Sequence, residues 1–309
     1  MKYVSPTYYR DFRCIAAACR HNCCVGWEVD IDDDTLLLYD TMTAPIGDRI
    51  RLSIDRADEP HFKLDREGRC PHLSASRLCN IITECGEGAL CQICRDHPRY
   101  RNFYDGVTEL GLGLSCEEAV RLALAGDNRG GFLVADTEDM VNAAYFADYP
   151  YEIFSEEDKP FSKEKKRLLS FVTDRNININ ERLSRLLQIK ADASEIKTLL
   201  LSLEILDPKW KIRIELLSAE NFSRDLNNLS VCIERIISIF IFRHLNMESF
   251  YSMAVLAAFA ALSAEIIIAL SKTAEDIPDT LRAYSAEIEY STDNKEKILD
   301  FIEEKVGNI

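Results

Sequence analysis

Eleven cysteines stand in this chain, and ten of them fall between Cys14 and Cys116. The spacings are Cys14-x4-Cys19-x3-Cys23-Cys24, then Cys70-x8-Cys79-x5-Cys85-x5-Cys91-x2-Cys94, then Cys116. Cysteine at such density serves disulfides, metal binding or redox chemistry. An odd total fits a complete disulfide framework poorly. The opening MKYVSPTYYRDFRC has no basic run followed by an apolar stretch, so no signal peptide is expected. The expected location is the cytoplasm, where clustered thiols point to metal or redox chemistry rather than to disulfides. On a helix, Cys19 and Cys23, or Cys91 and Cys94, would share a face and could hold one ion. Four thiolates suit tetrahedral zinc or an iron–sulfur cluster, and the spacing does not separate the two. Some of the sulfurs can instead be small buried apolar groups, a role that suits Cys85 and the isolated Cys232.

Glycine divides the chain at nearly the same place as cysteine. Eleven of twelve glycines fall at or before Gly131. A cysteine-rich, turn-rich domain over 1–131 and a helical domain over 132–309 follow, with Asp127–Gly131 as the linker. In the first part, Asp32-Asp33-Asp34 reads as a helix start. Gly86–His97 reads as a short helix stopped before Pro98. Asp105-Gly106 gives a hairpin signal, and Ser115 with Glu118 a capping box for a helix ending at Gly126. The second part reads as amphipathic helices at Lys163–Val172, Asn180–Lys190, Ser194–Leu206, Pro208–Ala219, Asn221–Leu245, Met247–Ser271, Pro278–Tyr290 and Asp293–Val306. Strands alternating with these helices are lacking in the pattern, so a dinucleotide-binding fold is not expected there. The fold class is mainly α: a metal-stapled N-terminal part with a small hairpin, packed on a C-terminal helical bundle.

Charge narrows the partners. Thirty-seven basic residues against 52 acidic leave a net charge of −15, which repels nucleic-acid backbones and anionic lipid. Neither nucleic acid nor membrane is an expected partner. The apolar run Met253–Leu270 borders spanning length but is alanine-rich and carries Glu265, so it reads as a buried core helix. Arg95, Arg99 and Arg101 follow the Cys91/Cys94 pair and could offset a negative thiolate centre. His21, His72 and His97 lie beside cysteines and could complete a site.

The segment Tyr8–Tyr39, YYRDFRCIAAACRHNCCVGWEVDIDDDTLLLY, resembles the opening of the flagellin lysine-N-methylase family. So do RCPHLSASRLCNIITECGEGALCQICRDHPRYRNF and TELGLGLSCEEA further on. The same blocks resemble the wider cysteine-cluster proteins regarded as zinc- or iron-chelating. The resemblance covers about the first 125 residues, and the helical remainder matches only loosely. It implies a metal-ligand pattern of Cys14, Cys19, Cys23, Cys24, Cys70, Cys79, Cys91, Cys94 and Cys116, with Cys85 left out. It also implies methyl transfer from S-adenosylmethionine to lysine amines of flagellin, and an iron–sulfur cluster of the 4Fe-4S type, with zinc as the alternative. The alternative function is a metal-binding or metal-delivery module without methyl transfer. Asp30, Asp32, Asp96 and Tyr100 are imaginable proton acceptors, although each also fits a cap or surface role. Glu109-Leu-Gly-Leu-Gly faintly echoes a nucleotide-binding loop, and a hairpin leading into a helix is the plainer reading.

Overall fold

The computed structural model describes residues 1–57, 59–125, 131–222 and 226–306. The chain forms two compact units. One is Arg13–Tyr100, and the other joins Met1–Phe12 to Arg101–Ile309. This line differs from the composition boundary at 131, which would cut through a sheet.

Strand β1 (Lys2–Pro6) opens the chain and belongs to the larger unit. The Arg13–Tyr100 unit begins its regular structure at α1 (Asp33–Thr41), where the Asp32 carboxylate accepts the Thr35 N–H at 3.0 Å. Asp33 and Asp34 occupy the first turn, at the positive end of the helix dipole. In α2 (Ile46–Ser53) a side chain at Gly47 would sit 2.3 Å from the Met42 carbonyl oxygen, so only glycine fits. Strands β2 (Ile54–Asp55) and β3 (His61–Phe62) pair antiparallel, Ile54 opposite Phe62. Two short helices follow, α3 (Asn80–Cys85) and α4 (Gln92–Asp96). The single helix expected over 86–97 does not form. Gly86 takes φ +83 and ends α3, Glu87–Ala89 make one 3-10 turn, and Leu90 and Cys91 are extended.

The larger unit holds a five-stranded sheet in the order β4-β5-β1-β6-β7. Strands β4 (Arg99–Tyr104) and β5 (Val107–Leu112) flank Asp105-Gly106, with Gly106 at φ +75 as the Asp-Gly signal requires. The expected hairpin is therefore present, but as one edge of a wider mixed sheet. Helix α5 (Glu117–Leu124) follows it. Strand β1 runs parallel to β5 and antiparallel to β6 (Phe132–Ala135), which pairs with β7 (Ala144–Phe146). The capping box expected at α5 is absent. Glu118 turns to Arg121 at 2.7 Å, the Ser115 hydroxyl is buried with no hydrogen-bond partner among the described residues, and Cys116 takes the cap position. The helix ends at Leu124, while Gly126 and most of the expected linker lie outside the described residues.

The helical part follows the sequence periodicity closely. It comprises α6 (Lys159–Val172), α7 (Ile179–Leu187), α8 (Ala193–Ser202), α9 (Pro208–Glu215), α10 (Ala219–Phe222), α11 (Ser230–His244), α12 (Met253–Leu270), α13 (Ile277–Tyr284) and α14 (Thr292–Val306). Local chemistry sets several ends. Asp192 and Glu195 form a reciprocal capping box at α8, and Pro208 starts α9. The expected helix from Asn221 is interrupted, and α11 begins at Ser230 after a 3-10 turn at Asn227–Leu229. A π-helical turn, Ser285–Glu289, extends α13. Helix α12 has a mean hydropathy of 2.3, enough in length and composition to cross a membrane, yet 83% of it is buried within this unit. It packs against α7, α11, α13 and α14, as expected for a core helix.

Candidate functional site

The thiols concentrate in the core of the Arg13–Tyr100 unit. Cys70 and Cys91 are buried there with Ile31, Tyr39, Ile50 and Phe62, and Cys24, Cys79, Cys85 and Cys94 pack against the same cluster. Backbone pairing sets their places. The Cys70 N–H donates to the Cys24 carbonyl at 2.8 Å, Leu73 bridges Cys79, and Asn80 N–H donates to His72 carbonyl oxygen. Cys79 and Cys91 cap α3 and α4. One carboxylate ties the start of α1 to the start of α4, since Asp32 also accepts the Gln92 N–H at 2.7 Å. Partial burial works against its charge, but the Gln92 and Thr35 donors prevail and hold its pKa below the usual carboxylate range.

The electrostatics run from sulfur to sulfur. Cys23 shares a side-chain hydrogen bond with Cys24, which pulls the Cys23 thiol down to about 7 and pushes the Cys24 thiol up. Cys91 and Cys94 form a second such pair, with Cys91 lowered and Cys94 raised. In each pair the remaining S–H stabilises one thiolate, so the first proton leaves easily and the second does not. Burial raises Cys70 to about 11, and negative charge on Cys79, Cys91 and Cys23 adds to the rise. Tyr39 is raised by burial and then by Cys91, Cys94, Cys79 and Asp32; its hydroxyl donates to the Ala89 carbonyl at 2.8 Å. His72 is pushed down to about 4 by burial, so it is neutral, and a ring nitrogen meets the Ser53 hydroxyl at 2.9 Å.

Six of the nine cysteines singled out in the sequence thus share one electrostatic neighbourhood: Cys23, Cys24, Cys70, Cys79, Cys91 and Cys94. The other three have these surroundings. The Cys14 sulfur is exposed and accepts the Ala16 N–H at 3.4 Å. The Cys19 thiol donates to the His21 carbonyl at 2.8 Å. Cys116 belongs to the other unit, where it packs with Tyr9, Phe12 and Leu110. Cys85, left out of the sequence pattern, lies against the same core as five of the six, all but the exposed Cys23. Asp32 keeps the capping role that competed with catalysis in the sequence, and the tie from Asp32 to Gln92 had no sequence signal. Arg101 pairs with Glu138.

The donor chemistry of the six sulfurs suits a soft metal. Their placement does not make a closed site: among the described residues, no three of His, Cys, Asp and Glu are gathered to hold one ion. Two pairs are joined sulfur to sulfur, Cys23 with Cys24 and Cys91 with Cys94. None of the described cysteines is disulfide-bonded.

The Glu109 segment resolves to structure rather than to a nucleotide loop. Glu109 lies on β5, wholly buried, and accepts from Lys165 Nζ at 2.7 and 2.8 Å and from the Tyr149 hydroxyl at 2.5 Å. A cavity of about 560 Å³ lies in the same unit, between β1, β6, β7, α6 and α11.

Comparison with known proteins places the chain among relatives. It is 32% identical over 120 residues to the lysine-N-methylase of Salmonella choleraesuis and equally to that of Salmonella typhimurium. Each match covers 37% of this chain and 30% of the relative, so the chain spans less than a third of the length of these two proteins. It is 29% identical over 120 residues to the flagellar biosynthetic protein FliU of Salmonella muenchen, covering 71% of that protein. No family model and no solved structure matches. These similarities support a family relationship between this chain and the flagellin lysine-N-methylases, carried by little more than a third of its length.

Proposed function

We propose that the protein is a cytoplasmic lysine N-methyltransferase that uses S-adenosylmethionine and acts on flagellin, with an iron–sulfur cluster held by thiols of the Arg13–Tyr100 unit. The observation that carries the reading is the similarity to two lysine-N-methylases and to a flagellar biosynthetic protein. The cysteine core adds support, because Cys24, Cys70, Cys79, Cys91 and Cys94 share one apolar cluster, with Cys23 hydrogen-bonded to Cys24 at its edge, an unusual investment for packing alone. Cys23, Cys24, Cys70, Cys79, Cys91 and Cys94 are the residues that would hold the metal. When bound, a cluster of this kind supplies either a structural staple or an open iron position for a polar ligand.

In the methyl transfer, the neutral lysine amine attacks the methyl carbon of the sulfonium. A C–N bond forms, the C–S bond breaks, and its electron pair stays on sulfur. The amine then loses a proton to solvent or to a nearby base. A reducing cytoplasm keeps the thiols available. The test is transfer of labelled methyl from S-adenosylmethionine to the cognate flagellin, using protein purified without oxygen. Label on lysine is the expected result, and its absence from a cluster-replete sample would sink the proposal.

A second reading, a metal-delivery module, is favoured by the short span of the relatives that is matched. It predicts release of bound metal to an acceptor and no donor binding by calorimetry.

A further inference from the structure

The cavity in the larger unit is walled by aromatic rings. Phe132 and Tyr145 come from the sheet, Tyr149 from the segment after it, and Phe242 from α11. Its volume of about 560 Å³ falls within the range of small-molecule sites. Two charged groups of α11 line it. Glu234 is already satisfied, because Arg175 and Arg182 hold its carboxylate at 3.1 Å. Arg235 is not. Its Nη1 donates to the Leu124 carbonyl, while its Nη2 is buried with no hydrogen-bond partner among the described residues. No carboxylate among the described residues pairs with this guanidinium. A buried arginine nitrogen without a partner costs free energy that an anionic ligand group would recover. Carboxylate is the natural complement, and the rings suit a flat heterocycle at the other end of the same molecule.

We infer that this cavity, walled by Phe132, Tyr145, Tyr149 and Phe242, is a binding site for an amino acid linked to a flat heterocycle, with Arg235 Nη2 taking the carboxylate. Such a molecule has the chemistry of an adenosyl amino acid. The identity of the ligand rests on the methyl-transfer reading, and the location rests on the cavity and on Arg235. No residue here belongs to the cysteine core, so the donor pocket and the thiols are separate assignments in the chain.

The test uses the full chain and two probes, S-adenosylhomocysteine and adenosine, which lacks the amino-acid carboxylate. Affinities are measured by calorimetry for the wild type, Arg235→Gln and Ser170→Trp, a bulky change at an exposed lining position. The wild type is expected to bind S-adenosylhomocysteine more tightly than adenosine. Arg235→Gln is expected to lose about tenfold or more for S-adenosylhomocysteine, as one charge-assisted hydrogen bond would give, while adenosine affinity stays unchanged. Retained adenosine binding also shows that the variant is folded. Ser170→Trp is expected to weaken both probes. Equal S-adenosylhomocysteine affinity in wild type and both variants overturns the location. A wild type that binds neither probe overturns the inference too, yet if it still transfers labelled methyl, the methyltransferase reading stands without this pocket.

Discussion

Lys165 and Glu109 form an ion pair with both side chains wholly excluded from solvent. The ammonium also donates to the carbonyls of Phe242 and Leu245 at 2.9 Å, and lies over the Phe242 ring at 4.9 Å. Burial lowers the lysine pKa, and the Glu109 charge opposes that fall. The group joins β5 and α6 to the end of α11, so it fixes which helix faces the sheet. A pair like this contributes little net stability compared with an apolar substitute, but breaking it strands a charge. Lys165→Met should therefore destabilise the chain by about 3–5 kcal/mol, read as a lower urea midpoint. Lys165→Met combined with Glu109→Leu should recover much of that loss. A single variant as stable as the wild type would show that Glu109 finds a proton or another partner at little cost.

At the scale of elements, α12 carries one ionisable side chain, Glu265, in a helix whose other residues are apolar except Ser263. Burial raises the Glu265 carboxyl to about 7 from an ordinary 4.5. Between those two values the folded state holds a proton that the unfolded chain has released, so stability falls as pH rises. It is greatest below about pH 4.5 with respect to this group and levels off above about pH 7. The span corresponds to at most about 3 kcal/mol. Glu265→Gln should flatten the difference between urea midpoints measured at pH 5 and pH 8, and an unchanged slope would assign the dependence to other groups. The helices themselves were legible because apolar residues such as Leu183, Leu186 and Leu187 recur at helical spacing and Pro208 suits a first turn, although the helix read from Met247 starts only at Met253, where the Ser252 side chain caps it. The sheet was not legible. Strand β6 is a four-residue apolar run, FLVA, with no alternation to separate strand from helix, and β1 finds its partners only through residues far along the chain. The same limit applies to the thiols. Spacing marked the cysteines as a set, but only the fold assigns Cys116 to the larger unit, because nothing in its local sequence tells which unit it joins.

For the whole molecule, the division into units makes metal binding a regional event. A metal that binds only the folded state adds its binding free energy to the stability of the part that holds it. Hydrogen exchange on protein loaded with iron and sulfide under anaerobic conditions should then slow within Arg13–Tyr100. Exchange in α11 and α12, which belong to the other unit, should stay as it is in the metal-free chain. Serine replacements sharpen the expectation. Cys24→Ser and Cys91→Ser should abolish uptake, because both sulfurs lie in the shared core and their pair partners cannot complete a site alone. Cys232→Ser, in the other unit, should leave metal content unchanged. Cys116→Ser discriminates most sharply between the sequence pattern and the folded arrangement. The family-like pattern counts Cys116 as a ligand, whereas the fold places it beside Tyr9 and Leu110. Full iron and acid-labile sulfide content in Cys116→Ser, by chemical analysis, would confine the centre to Arg13–Tyr100. Loss of both would bring a sulfur of the larger unit to the metal, and loading would then couple the two units into one cooperative fold.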